Sequence, residues 1–254
     1  MDPAQSSGAD AAACSSNNES GNPPQLSVDL LSMSDIKTTT KEPQLPVDIV
    51  LLTVEEYEFL ACYQQLKDPY RWWFDDIGYV YFEGVDHGQE EKVNVALLKC
   101  YSGSAGPGGA LITVKKAVTV LKPKAVISVG TCSGLDPEKT RLGDVVVSAK
   151  LATYASKEVT SNKEQSTGMR SCASKRFLDV IKNCSDGWQA PLKSTEFREV
   201  KVHCGEFLSG PEIVSAKWRR KQLVEFYPQA VALEMEGEGQ LVYLYHLPLL
   251  GYSL

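Results

Sequence analysis

Histidine is scarce and basic charge is not in excess. Three histidines (His87, His203, His246) stand in a chain of 254 residues, and 26 lysines and arginines face 32 aspartates and glutamates. The scarcity leaves no evident Cys–His pair to activate a thiol nucleophile, Cys132 included. A net charge of −6 supplies no basic face of the kind nucleic acid requires. No apolar run reaches about 18 residues, so no membrane span is expected. The N-terminus lacks the charged-then-apolar pattern of a signal peptide. Seven cysteines (14, 62, 100, 132, 172, 184, 204) are odd in number and lack paired metal spacing. Most sit in apolar runs, which suits free thiols in a reducing compartment better than a disulfide framework. A cytoplasmic protein that binds no metal, membrane or nucleic acid is the expectation.

Aromatic residues are missing from residues 1–46, which are rich in Ser, Asn, Gly, Pro and Thr. Such a segment cannot bury enough apolar surface to offset its ordering entropy, and it reads as a disordered tail. Only Leu26 to Met33 could fold against a partner. Six acids and two lysines place −4 of the net charge there. One α/β domain is expected over 47–254, a length that allows a sizeable core.

What is present after the tail is an alternation of apolar runs and helical patterns. Asp48 to Thr53 reads as a buried strand and Val54 to Tyr63 as a helix with apolar residues at helical spacing. Tyr70 to Phe74 is an aromatic cluster, expected in the core or at a subunit interface. Gly78 to Gly84 and Glu91 to Tyr101 read as strands. A glycine-rich loop, 102–110, has neither the P-loop lysine nor the GxGxxG spacing. It opens into a helix, Leu111 to Leu121, which Lys122-Pro123 stops. Cys172 to Lys182 and the basic stretch 215–226 read as helices, and the cations of the second are expected on a solvated face. Glu199 to Gly205 and 229–234 read as further strands.

The organising stretch is Lys124 to Lys150. Its apolar runs, Ala125 to Val129 and Asp144 to Ser148, are of the near-continuous kind that a sheet covered on both faces requires. Between them Gly130-Thr131-Cys132-Ser133-Gly134 is a small, hydroxyl-bearing loop at a strand's carboxyl end, where open α/β sheets bind ligands. A turn between core strands explains it as readily. Glu55, Glu56 and Glu58 are either helix-start acids favoured by the dipole or an acid/base at the sheet's edge. Glu234-Met235-Glu236 ends an apolar strand. Its paired carboxylates suit the vicinal hydroxyls of a ribose, or else begin a helix.

Together these pieces resemble the nucleoside phosphorylase / 5′-methylthioadenosine–S-adenosylhomocysteine nucleosidase family from about Val47 to Pro248. The most specific elements are VISVGTCSGL with LGDVVVS, and FYPQAVALEMEGEG. The resemblance implies a three-layer α/β/α fold around a central twisted mixed β-sheet, assembled as dimers or higher homo-oligomers and using no cofactor. It implies cleavage of the N-ribosidic bond of a purine nucleoside through a ribose with oxocarbenium character. On that resemblance Glu58 matches the water-activating glutamate, with Glu56 as the fallback if the register slips. Thr131 and Ser133 match the loop near the attacking water or phosphate. Ile213 and Val214 match the segment flanking the purine. Met235 and Glu236 match the methionine under the ribose and the glutamate that takes its hydroxyls.

Three departures follow from the same resemblance. The usual Ser-Gly-Asp is Ser209-Gly210-Pro211 here. The arginine that phosphorylases carry after the first strand has no counterpart between Thr53 and Glu58, which favours water over phosphate. The general-acid aspartate would fall a few residues past Leu254, so the chain as written lacks it, along with the end of the last strand and the closing helix. A nucleosidase with impaired turnover is therefore expected. The alternatives are a phosphate-dependent phosphorylase and a module that binds a nucleoside or a partner without turnover. Were the general acid misplaced, Glu206, Glu212 or Glu238 would be the candidates.

Overall fold

The computed structural model describes residues 25–84, 93–103, 106, 108–161, 164–193 and 199–239. The first ladder is built from β1 (Thr39–Thr40), β2 (Ile49–Thr53), β3 (Tyr70–Phe74), β4 (Gly78–Phe82), β5 (Val95–Lys99) and β6 (Ala125–Ser128). Its order is β1-β3-β4-β5-β2-β6, with β2 parallel to both neighbours and β3, β4 and β5 antiparallel in turn. Helices α1 (Glu56–Tyr63) and α2 (Ala110–Leu121) connect its strands.

The chain then crosses to a second ladder through residues 129–132. That ladder contains β7 (Ser133–Gly134) and β8 (Val145–Thr153); the ribbon of β9 (Lys157–Val159) and β10 (Glu164–Ser166) stands apart from it. Next come β11 (Arg170–Cys172), α3 (Lys175–Asn183), β12 (Val202–Ser209), α4 (Lys217–Phe226) and β13 (Ala230–Glu234). Order β11-β8-β12-β13-β7 puts three parallel strands in the middle and an antiparallel strand at each edge. The α/β class with mixed sheets is as expected, with the strands divided between two ladders. Among the described residues no helix is long and apolar enough to cross a membrane.

Local sequence explains the frame. Ala110, Val114, Ala117 and Leu121 recur at helical spacing on α2 and are fully buried against Val50, Leu52 and Leu98. Each large side chain so buried contributes about 1.5–3 kcal/mol. Lys122 adopts a left-handed φ of 48° before Pro123, which ends α2 where the sequence predicts. The second ladder buries Tyr154, Leu208 and Leu233 against Leu223 and Tyr227 from α4 and its exit. The aromatic cluster forms β3, where Tyr70 stacks on Phe82 and Arg71 lies over Tyr79.

Three expectations change. The disordered tail does not extend through residue 46: Leu31 and Ile36 pack on Phe59, Tyr63 and Tyr81, and Thr39 and Thr40 pair with β3. Ser27 N–H donates to the Pro191 carbonyl at 2.7 Å, and the Gln64 amide donates to the Asp29 carbonyl at 3.0 Å. A few well-spaced apolar residues suffice to strap this stretch over α1, which average composition conceals. Residues 1–24 lie outside the described residues.

β6 is the second change. Among the described residues it is the edge of its ladder, with Ile127 37% exposed and Val129 36% exposed, so the two-sided cover its sequence suggests is not formed there. The third concerns α4, two of whose cations point inward, as described below. Pro248 and the chain end, where the general-acid expectation falls, lie outside the described residues.

Candidate active site

Six strand ends converge. The carboxyl ends of β2, β5 and β6 meet those of β8, β12 and β13, the edge at which open α/β sheets place ligands. Glu58 is the hub. It stands at the third position of α1, only 9% exposed. Its Oε2 accepts the Val54 and Glu55 N–H groups at 3.1 and 2.9 Å, which is the helix-start role. Its Oε1 reaches across to β6's exit loop and accepts from Thr131 N–H at 2.7 Å and the Thr131 hydroxyl at 3.2 Å. One Glu58 oxygen thus caps α1 while the other meets the Thr131 loop. Glu56 is exposed on the first turn.

Backbone proximity makes the Glu58–Thr131 contact possible. A Cβ at residue 130 would stand 2.8 Å from Glu58 Oε1, so glycine is needed where the loop crosses the carboxylate. Tyr57 adds a hydroxyl contact to Thr131 Oγ1 at 3.1 Å.

Glu236 approaches from the second ladder. Its Oε1 accepts Gly103 N–H at 3.3 Å, linking the exits of β5 and β13. Burial first, and then the charges of Glu236 and Glu58, push the Cys100 thiol up to about 12. Burial and Glu58 likewise raise the Cys62 thiol to about 11. The protein around the Cys132 sulfur, and then the Glu234 charge, also hold that thiol above its ordinary value, although the residue itself is exposed. Raised thiols are poor nucleophiles, and thiol chemistry at Cys132 is disfavoured.

Glu234 stands behind the turn that carries Met235 and Glu236. Its Oε2 accepts the Glu236 and Gly237 N–H groups, each at 2.8 Å, fixing the backbone that presents Met235 and Glu236. Burial raises its carboxyl above the usual range and Glu236 adds to the rise, while the Ser209 hydroxyl and the two N–H groups oppose it. A raised carboxyl stabilises the fold below the unfolded-state value and loses that contribution as pH climbs through the folded value. Glu234→Gln should therefore gain stability relative to wild type as pH rises from about 4 to 7. Thermal melts across that range check it, and an advantage that grows toward acid would contradict it.

The remaining candidates are divided. Ser133 lies in β7 and its hydroxyl accepts from Arg220 Nη2 at 3.0 Å, so it is not joined to Glu58 as Thr131 is. Val214 is buried and Ile213 is 84% exposed, and both line a cavity of about 670 Å³ with Glu212, Trp218 and Arg219. Arg219 grips both Glu212 oxygens at 2.8 Å and holds that carboxyl below its ordinary value, which suits an acceptor rather than an acid. Glu206 faces Arg170 at 3.9 Å. Glu238 N–H donates to Ser209 Oγ at 2.7 Å. Tyr154 is the residue that sequence reasoning missed. It is fully buried, its hydroxyl donates to the Glu212 carbonyl at 3.3 Å, and its ring fills the space a Cβ at residue 210 would need. Its only sequence signal is position, just beyond the end of β8. Among the described residues no group of three His, Cys, Asp or Glu side chains could hold a metal ion.

Comparison with known proteins gives the family. A death domain-containing ATP nucleosidase of Amphimedon queenslandica is 28% identical over 151 residues, which are 54% of this chain and 28% of that protein. The 5′-methylthioadenosine/S-adenosylhomocysteine nucleosidase of Desulfotalea psychrophila is 26% identical over 167 residues, 63% of this chain and 65% of that one. The chain thus spans less than two thirds of the length of either relative. The Neisseria meningitidis 5′-methylthioadenosine/S-adenosylhomocysteine nucleosidase, solved with methylthio-immucillin-A, shares the fold. Its TM-score is 0.60 at 17% identity, over 79% of this chain and 81% of that one. Residues 87–250 match the phosphorylase superfamily. The match takes in more than half of the chain, with the Thr131 loop and the Glu236 turn inside it, and the chain belongs to that superfamily.

Proposed function

We propose that the domain over 47–254 is a nucleosidase that cleaves the N-ribosidic bond of a purine nucleoside with water. The observation that carries the reading is the Glu58 carboxylate, buried at the sheet edge and tied to Thr131, with Glu236 reaching the exit of β5 at Gly103. In this reading water attacks the anomeric carbon as the N-ribosidic bond breaks, water's proton passes to Glu58 and from it to solvent, and the bond electrons leave with the base, which takes a proton from solvent. Thr131 places the water. Glu236 releases Gly103 N–H and accepts the ribose hydroxyls, with Met235 beneath the sugar. Ile213 and Val214 flank the purine. Cytoplasmic homo-oligomers are the proposed form, and sedimentation as a monomer with full activity would count against that part.

Phosphorolysis is the competing chemistry. It would need a cation for the phosphate, and none stands between Thr53 and Glu58. Arg219 and Arg220 of α4 are engaged with protein acceptors. The test incubates the chain with methylthioadenosine, adenosine, inosine and ATP, the last because one relative is named an ATP nucleosidase, with and without phosphate. Free base formed equally in both buffers is expected. Base release that requires phosphate would establish the phosphorylase, and tight binding without release would establish the binding module.

A further inference from the structure

Arg220 is half-buried on α4, where composition alone would leave it solvated. Its Nη1 donates to the Gly134 carbonyl at 3.1 Å, and its Nη2 donates to Ser133 Oγ at 3.0 Å and to the Val214 carbonyl at 3.4 Å. These acceptors belong to two separate stretches. Ser133 and Gly134 lie two and three positions after Thr131, and Gly134 and Ser133 are also paired to Ala232 and Leu233 of β13, just before the Glu236 turn. Val214 closes the segment assigned to the base. A planar fork of donors can hold acceptors from two backbones in one geometry, which a single ammonium cannot.

We infer that Arg220 is a positioning residue that locks the Thr131 loop to the Val214 segment, so that the water side and the base side of the site keep a fixed spacing. The inference rests on the nucleosidase reading of those two stretches, but the coupling itself is measurable without any substrate.

Amide hydrogen exchange and calorimetry with methylthioadenosine, on the full chain and its Arg220→Gln and Arg220→Lys variants, test it. In Arg220→Gln, exchange should accelerate at least about tenfold at both 131–135 and 213–215 while α2 amides stay protected, and affinity should fall by roughly tenfold or more. Arg220→Lys keeps the charge without the fork and should recover only part of either loss. Added guanidinium ion should rescue Arg220→Ala. Unchanged exchange at both stretches, acceleration at only one, or full recovery with lysine would overturn the inference. Should Arg220→Gln not fold, Ser133→Ala removes one acceptor and must give the same two-stretch pattern in weaker form, or the inference fails. A wild-type chain that binds no nucleoside would instead sink the substrate reading and leave the exchange result to decide the coupling.

Discussion

Glu58→Gln is expected to slow base release from a purine nucleoside by about 10²–10⁴, the range that a positioned general base supplies. The amide cannot accept water's proton, and it cannot replace the carboxylate's hydrogen bonds either. One carboxylate oxygen takes two N–H groups from Val54 and Glu55 and the other takes Thr131 N–H, so either amide orientation sets an NH₂ against a donor. That mismatch should cost about 1–3 kcal/mol of stability in addition. Thermal melts separate the two effects, because the stability loss alone leaves the folded enzyme active. A rate within threefold of wild type in folded protein would reduce Glu58 to a cap on α1.

Ribose recognition carries the second large effect. Glu236→Gln keeps the side chain's size and removes the charge that strengthens hydrogen bonds from two hydroxyls. Nucleoside affinity should drop by roughly 1.5–3 kcal/mol, about 10–150-fold. Free adenine, which has no ribose, should bind both forms alike, so the comparison isolates the sugar. Because Glu236 accepts two long bonds among the described residues, from Gly103 N–H and Met235 N–H, each at 3.3 Å, its replacement should disturb the fold less than that of Glu58. Calorimetry giving equal nucleoside affinities would make Glu236 a helix-start acid and nothing more.

Local pattern explains what could be read before the coordinates. A strand ending at Thr53 and a helix after it were legible locally, while the choice of Glu58 over Glu56 came from the resemblance. The end of α2 followed from Lys122-Pro123, and the β13 exit from an apolar run meeting Glu234-Met235-Glu236. Contacts between distant segments left no such mark. Nothing local shows that Glu58 would bridge 73 positions to Thr131, or that Ser133 would turn to Arg220. A helix rich in Lys and Arg reads as solvated, yet Arg219 and Arg220 find Glu212 and the Ser133 loop, partners fixed only by the tertiary arrangement. Residues 25–46 look unstructured by composition because Leu31 and Ile36 are few, while their effect depends on the apolar surface of α1 that they cover.

The central claim is that water, activated at Glu58, is the attacking group. Its most direct measurement is the sugar product formed from methylthioadenosine in phosphate-free buffer, compared with the same reaction in phosphate. Free sugar in both, with adenine appearing at the same rate, is the expected result. Adenine that appears only with phosphate, accompanied by the sugar 1-phosphate, would contradict the claim.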